Sequence, residues 1–194
     1  MHFEKFEVKP IEAPEKNLSD WTVPDKLKAE IPQTPEGRLA DIKATLERMQ
    51  SEIRLDQLGS AYKADLSATA KYPETIPDKV FDVQAWEKLS PEQTAERRED
   101  FDDKRDALKR SWEEKNDEPW PKYAEDVYSA NGKLIRRAGA DYDAHHVQPL
   151  CLGGRNEVDN ITPLHAEVHY DKQGIHAFGS PYDEICKTLG GNCE

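Results

Sequence analysis

Five of the six histidines fall between positions 145 and 176: His145, His146, His165, His169 and His176. The sixth, His2, stands alone near the start and reads as an inert residue. Imidazole is the commonest metal ligand and the side chain whose unperturbed titration lies near neutral pH. A cluster of imidazoles therefore points to metal binding, to proton transfer, or to both. His165 and His169 are four apart, which places them on one face of a helix at a spacing that suits two ligands of one cation. His145 and His146 are adjacent in "DAHHVQPL". On an extended segment their side chains would point to opposite faces. One can hold a metal while the other serves as a general base. Hydrolysis of a phosphodiester uses both, a cation to offset charge developing on a phosphoryl or leaving-group oxygen and a base to activate water. A purely structural metal site is the plainer alternative. Such sites usually have four closed ligands, often cysteine, and Cys151, Cys186 and Cys193 form no CxxC pair.

The stretch "HHVQPLCLGGRNEVDNITPLHAEVH" resembles the HNH endonuclease motif, a ββα-metal unit in which a hairpin and a helix surround one divalent cation. The matched positions are His145-His146, Pro149, Gly153-Gly154, Asn160 and, nine residues later, His169. The resemblance implies that His145 and His169 are metal ligands. It implies that His146 is the general base and that Asn160 orients the loop carrying it. DNase colicins, which this segment also resembles, place a further ligand where Gln173 stands here. The third ligand is thereby left open among His165, one turn back, His176, just beyond Gly174, and water. Asp143 matches an acid of the colicin-like enzymes, which implies a role in orienting His145.

A longer stretch from about Ala85, with "EKLSPEQTAERREDFDDKRDALKRSWEEKNDEPWPKY" and "DNITPLHAEVHYDKQGIHAFGSPYDEI", resembles the C-terminal domains of bacterial polymorphic toxins. That resemblance implies a bacterial effector delivered into rival cells and a cognate immunity protein in the producer. Residues 1–84 carry no such likeness and are assigned to delivery, as a segment contacting a secretion-system adaptor.

The elements that must position the histidines are legible in outline. Residues 1–36 hold Pro10, Pro14, Pro24, Pro32 and Pro35 and read as an extended arm. In residues 37–84, Leu39, Ile42, Leu46, Met49 and Ile53 step by three and four, one apolar stripe along a helix. The stripe predicts packing against another helix or a partner, the ordinary packed amphipathic helix being the simpler expectation. An irregular linker should come next, over residues 60–88. Residues 85–194 are assigned to the nuclease domain. Within it Ser90-Pro91 with Gln93 predicts a capped helix over 91–116, whose Phe101, Leu108 and Trp112 should brace the C-terminal hairpin. Asn131-Gly132 predicts the tight turn of that hairpin. "DYDAHHV" should add a strand, and Thr162-Pro163 should start a helix ending at Gly174. The fold class expected is α+β, a mainly helical N-terminal part leading into the ββα-metal unit.

Composition narrows the partners. Hydrophobic residues are 36% and charged residues 34% of 194, which predicts a modest core. The formal net charge of -12 argues against a protein that coats nucleic acid by bulk charge. Residues 121–194 still hold seven Lys/Arg against eleven Asp/Glu. Substrate phosphates must then be met locally, by the metal and by Lys133, Arg136, Arg137 and Arg155. No apolar run is long enough to span a membrane, and the N-terminus lacks a signal-peptide pattern. Export of a protein made in the bacterial cytoplasm would use a specialised system that reaches the target-cell cytoplasm. The odd, widely spaced cysteines suggest reduced thiols, with a Cys186–Cys193 pair as the alternative in an exported chain.

The sequence thus predicts an HNH endonuclease that hydrolyses DNA with little sequence preference and uses one divalent ion, Zn, Ni, Mg or Mn. A toxin role is implied by the resemblance. The alternatives are a phage or restriction-type HNH nuclease and a non-catalytic, metal-stabilised binding scaffold.

Overall fold

Leu55, Gly59, Tyr62 and Leu66 recur at four, three and four residues, and they form the buried face of α1 (Pro35–Ser67). A computed structural model of the chain describes residues 34–69, 74–129, 131–170 and 172–191. The extended arm expected over residues 1–36 falls almost wholly outside them. The chain divides into two compact units, Met1–Glu47 and Arg48–Glu194. In the first, the described residues are the opening turns of α1, where Leu39, Ile42 and Leu46 are exposed. In the second, Met49 and Ile53 are exposed too. The stripe from Leu39 to Ile53 is therefore not packed against another described part of the chain, as an ordinary amphipathic helix would be. Burial on α1 starts later, at Leu55.

The second unit is built around one principal core. Leu55, Tyr62 and Leu66 of α1 meet Ile76, Val80, Phe81 and Val83, which lie in and around two 3-10 turns (Asp78–Phe81 and Val83–Ala85). The same core takes in Val147, Leu152, Leu164, Ile175 and Ile185 from the C-terminal part. Gly59 lets α1 approach closely, because a Cβ there would lie 2.9 Å from Val83 Cγ2 and 3.3 Å from Phe81 O. The linker expected over 60–88 is thus helix as far as Ser67 and packed turns from Asp78. A domain boundary at residues 84 and 85 would cut through this core.

Helix α2 (Pro91–Asn116) starts as its sequence predicts. Ser90 Oγ accepts from Gln93 N–H at 3.2 Å, and Gln93 Oε1 accepts from Ser90 N–H at 3.0 Å. It ends at Asp117, in the left-handed region at φ 53°. Its face carrying Leu108 and Trp112, with Phe101 partly buried, packs with Trp120 and Ile161 in a second cluster.

The strands are short. β1 (Val127–Tyr128) and β2 (Leu134–Arg136) form an antiparallel hairpin around Gly132, whose φ is 75°. β3 (Asp143–His146) pairs antiparallel with β4 (Ile161–Leu164), with His145 opposite Thr162 and His146 opposite Ile161. α3 (Ala166–Tyr170) comes at once after β4, and α4 (Pro181–Thr188) closes the described chain. The class is α+β, as expected. The helix expected from Pro163 is corrected: residues 161–164 are a fully buried strand, and the helix has only five residues. Four consecutive buried side chains, Ile161, Thr162, Pro163 and Leu164, favour a strand sandwiched on both faces over an amphipathic turn. Thr162 Oγ1 accordingly caps nothing.

Cys151 is a free buried thiol, which burial raises to about 11. Cys186 is disulfide-bonded, which corrects the expectation of reduced thiols at that position. Cys193 lies outside the described residues. No described helix is long and apolar enough to cross a membrane.

Candidate metal centre and adjoining base

Strand alternation sends the two adjacent histidines to different surroundings. His145 is buried towards α1, whereas His146 packs edge-on to Phe101 of α2 with ring centroids 4.6 Å apart. His145 Nδ1 lies 3.3 Å from His169 Nε2 and 3.4 Å from His176 Nε2. The three side chains each offer one nitrogen within a 4.8 Å group. His169 comes from α3. His176 comes from the turn beyond Gly174, which brings the chain back so that His176 N–H donates to His169 O at 3.3 Å.

Each imidazole has a support. Tyr62 Oη is 2.7 Å from His145 Nε2 and donates to Val147 O at 2.9 Å. His176 stacks on Tyr182, with centroids 4.2 Å apart and planes 17° apart. Asp143 Oδ2 stands 3.6 Å from His169 Nδ1, a buried nitrogen with no hydrogen-bond partner. Arg136 grips Asp143 with two bonds, Nε to Oδ1 at 2.8 Å and Nη2 to Oδ2 at 2.9 Å. Burial would raise the Asp143 carboxyl, but His169 and Arg136 outweigh it and hold the group below its ordinary value. Asp143 therefore faces His169, not His145 as the resemblance implied.

Burial and the neighbouring imidazoles lower His145 well below the usual range. Burial and His169 lower His176 to about 3. Three imidazole nitrogens that converge this closely repel through their lone pairs unless a proton or a cation lies among them. The donor set therefore fits a divalent ion that accepts imidazole nitrogen. His145, His169 and His176 would hold it.

His146 is organised as a proton acceptor. Asn156 Nδ2 donates to Arg97 O at 2.9 Å and to Asp100 Oδ2 at 2.8 Å, which turns Asn156 Oδ1 toward His146 Nε2 at 2.9 Å. Nε2 must then carry the proton, leaving the Nδ1 lone pair. Burial lowers His146 to about 4, with Arg98 contributing and the Asn156 bond opposing, so the ring is neutral at pH 7. His145, His146, His169 and His176 line one cavity of about 210 Å³ together with Arg98, Phe101 and Tyr182.

Asn160 fixes the intervening loop. Its Nδ2 donates to Gln148 O and Arg155 O, both at 3.0 Å, and its Oδ1 accepts from Gln148 N–H at 2.7 Å. Gly154 lies so close to this strand end that a Cβ would collide with Gln148 O and come within 2.8 Å of Pro149 O. Gly153 has φ 88°, and Arg97 donates to the carbonyls of both glycines.

The other expected residues lie elsewhere. His165 precedes α3 and sits between the rings of Tyr123 and Tyr142, at 4.9 and 5.1 Å, outside the imidazole group. It does not share a helix face with His169, because the helix starts one residue too late. Arg136 is occupied by Asp143, and Arg155 lies 3.6 Å from Glu157. Lys133, Arg136, Arg137 and Arg155 do not line the cavity, whereas Arg98 does. Tyr62, Arg98, Asn156 and Tyr182 belong to the site although the expectations from the sequence did not single them out. Asn156 alone carried a signal, being a second asparagine in the same Gly-rich loop.

Over 154 residues the chain is 33% identical to Toxin YxiD of Bacillus subtilis (strain 168). The match covers 71% of this chain and 27% of that protein, so the chain spans only about a quarter of the relative. No family model matches the chain. No solved structure matches it either.

Proposed function

We propose that this chain is a divalent-metal-dependent nuclease of the HNH type that cleaves DNA phosphodiester bonds and acts as a bacterial toxin. One observation carries the proposal: a three-imidazole group and a separately oriented fourth imidazole line the same small cavity. A purely structural metal site has no use for His146 held with Nδ1 as a free acceptor. The strand–loop–strand–helix order of β3, β4 and α3 and the Asn160 clasp agree with the HNH resemblance of this segment. The toxin role draws support from the similarity to Toxin YxiD. That role entails an immunity protein in the producing cell.

The cation, when bound, supplies charge stabilisation for a phosphoryl oxygen or the leaving group. The chain supplies the rest. His146 Nδ1 takes a proton from the attacking water, and Asn156 holds the ring through Nε2. Arg98 meets phosphate charge at the cavity wall. Asn160 and Gly154 keep the loop after His146 in one conformation. Cleavage is expected to show little sequence preference, since no described element is shaped to read base edges.

The test is plasmid cleavage by purified protein with Mg, Mn, Ni or Zn and with chelator, run in parallel on RNA. Metal-dependent nicking that is lost in His146→Ala supports the proposal. Metal binding without cleavage of either nucleic acid would leave a scaffold. Growth arrest on cytosolic expression, relieved by the product of the adjacent gene, tests the toxin role.

A further inference from the structure

We infer that Tyr62, on the N-terminal helix α1, is a positioning residue for the metal centre, setting the tautomer in which His145 can bind a cation. The inference rests on the reading of His145, His169 and His176 as metal ligands. Tyr62 is fully buried and lies 83 residues before His145 in sequence. Its hydroxyl carries one proton. Val147 O, in a residue that is also fully buried, can only accept, and it receives that proton at 2.9 Å. The 2.7 Å contact between Tyr62 Oη and His145 Nε2 must then be donated by the imidazole. Nε2 carries the hydrogen, and the lone pair falls on Nδ1, the nitrogen facing His169 and His176.

The opposite arrangement fails twice. If the hydroxyl turned its proton to Nε2, the Val147 carbonyl would lose this donor in the interior, at a cost typical of an unmet buried acceptor. His145 would also carry its hydrogen on Nδ1, aimed into the imidazole group where a cation must sit. One hydroxyl thus couples the main-chain conformation just after the double histidine to the protonation pattern of the ligand. A ligating histidine commonly donates its other N–H to a carboxylate, carbonyl or water, and loss of that partner typically lowers metal affinity roughly 10- to 100-fold. Here a phenol from a distant helix takes that part. The metal centre is then incomplete without α1, although every ligand comes from β3 and the residues after it.

The test uses the full chain. Imidazole nitrogen shifts of the metal-free wild-type protein report the His145 tautomer, and the hydrogen is expected on Nε2. A hydrogen on Nδ1 overturns the inference outright. Tyr62→Phe keeps the ring in the core and removes only the hydroxyl. Zinc and nickel affinities, measured by competition with a chromophoric chelator, should fall roughly 10- to 100-fold in this variant. Leu66→Ala, on the same buried face of α1, serves as the structural control. It should lower the melting temperature and leave metal affinity within about twofold. Equal affinities in wild type and Tyr62→Phe, or equal losses in Tyr62→Phe and Leu66→Ala, would reduce Tyr62 to a packing residue. Failure of the wild-type protein to bind either metal would instead sink the metal reading itself.

Discussion

His146 Nε2 lies 2.9 Å from Asn156 Oδ1, and Asn156 is itself turned by the main chain and a carboxylate of α2. The candidate base is therefore aimed by a helix outside the strand–loop–helix unit that carries it. His146→Ala should cut plasmid cleavage on the order of 100-fold or more, while metal affinity stays near wild type. Asn156→Ala should lower cleavage less and also spare metal binding. Calorimetry showing collapsed metal affinity in His146→Ala would transfer that residue from base to ligand.

The ligand set makes a sharper prediction. His145→Ala, His169→Ala and His176→Ala should each weaken metal binding by more than the roughly 10- to 100-fold expected for losing a supporting partner. His165→Ala should not, because its ring is held between Tyr123 and Tyr142. Four titrations decide the matter. A strong effect at His165 with none at His176 would reverse the assignment.

Acid should destabilise the metal-free protein at mild pH. His145 is buried and His146 and His176 are partly buried, and removal from water holds all three below the ordinary 6.5, so they are neutral in the folded protein at pH 7. The unfolded chain binds more protons than the folded one in that interval, so stability falls as pH falls. The contribution is complete above about 6.5 and is lost progressively toward about 4 for His146 and about 3 for His176. Melting temperatures at pH 7.5 and 5 should differ visibly. The gap should shrink when both His146 and His176 are replaced by Gln, and an unchanged gap would place the acid sensitivity elsewhere.

Gly154→Ala should be costly. The added Cβ would collide with Gln148 O, a main-chain atom with little room to move because Asn160 clasps Gln148 on both its N–H and its carbonyl. A loss of about 2 kcal/mol or more is expected from denaturant unfolding, within the upper range for single substitutions. Wild-type stability in this variant would show that the clasp is loose.

A fragment of residues 85–194 should fail to melt cooperatively. It lacks Leu55, Tyr62, Leu66, Ile76, Val80, Phe81 and Val83, all members of the principal core. A fragment starting at Arg48 keeps them and should fold. Cooperative unfolding of 85–194 by circular dichroism would support the boundary expected from the sequence.

Much was legible because it depends on neighbours along the chain. The Ser90 capping box, the turn at Gly132 and the alternation that parts His145 from His146 are local rules, and all three appear in the structure. Local rules failed where burial on two sides intervened. Thr162-Pro163 imitates a helix start, yet the packing of residues 161–164 makes it a strand, and that shift left His165 outside the group. The choice between His165 and His176 turned on how the chain reverses at Gly174, which no spacing rule specifies. The stripe from Leu39 to Ile53 shows the converse, an apolar period that lies exposed. Burial on α1 is set by where Gly59 admits Val83 and Phe81. Residue types and intervals determined which groups could ligate or accept a proton. Contacts between residues far apart in the chain, Tyr62 with His145 and Asn156 with Arg97, decided which nitrogen of each ring is free to do so. Hydrogen-bond partners that meet only through tertiary packing leave no periodic trace in the chain.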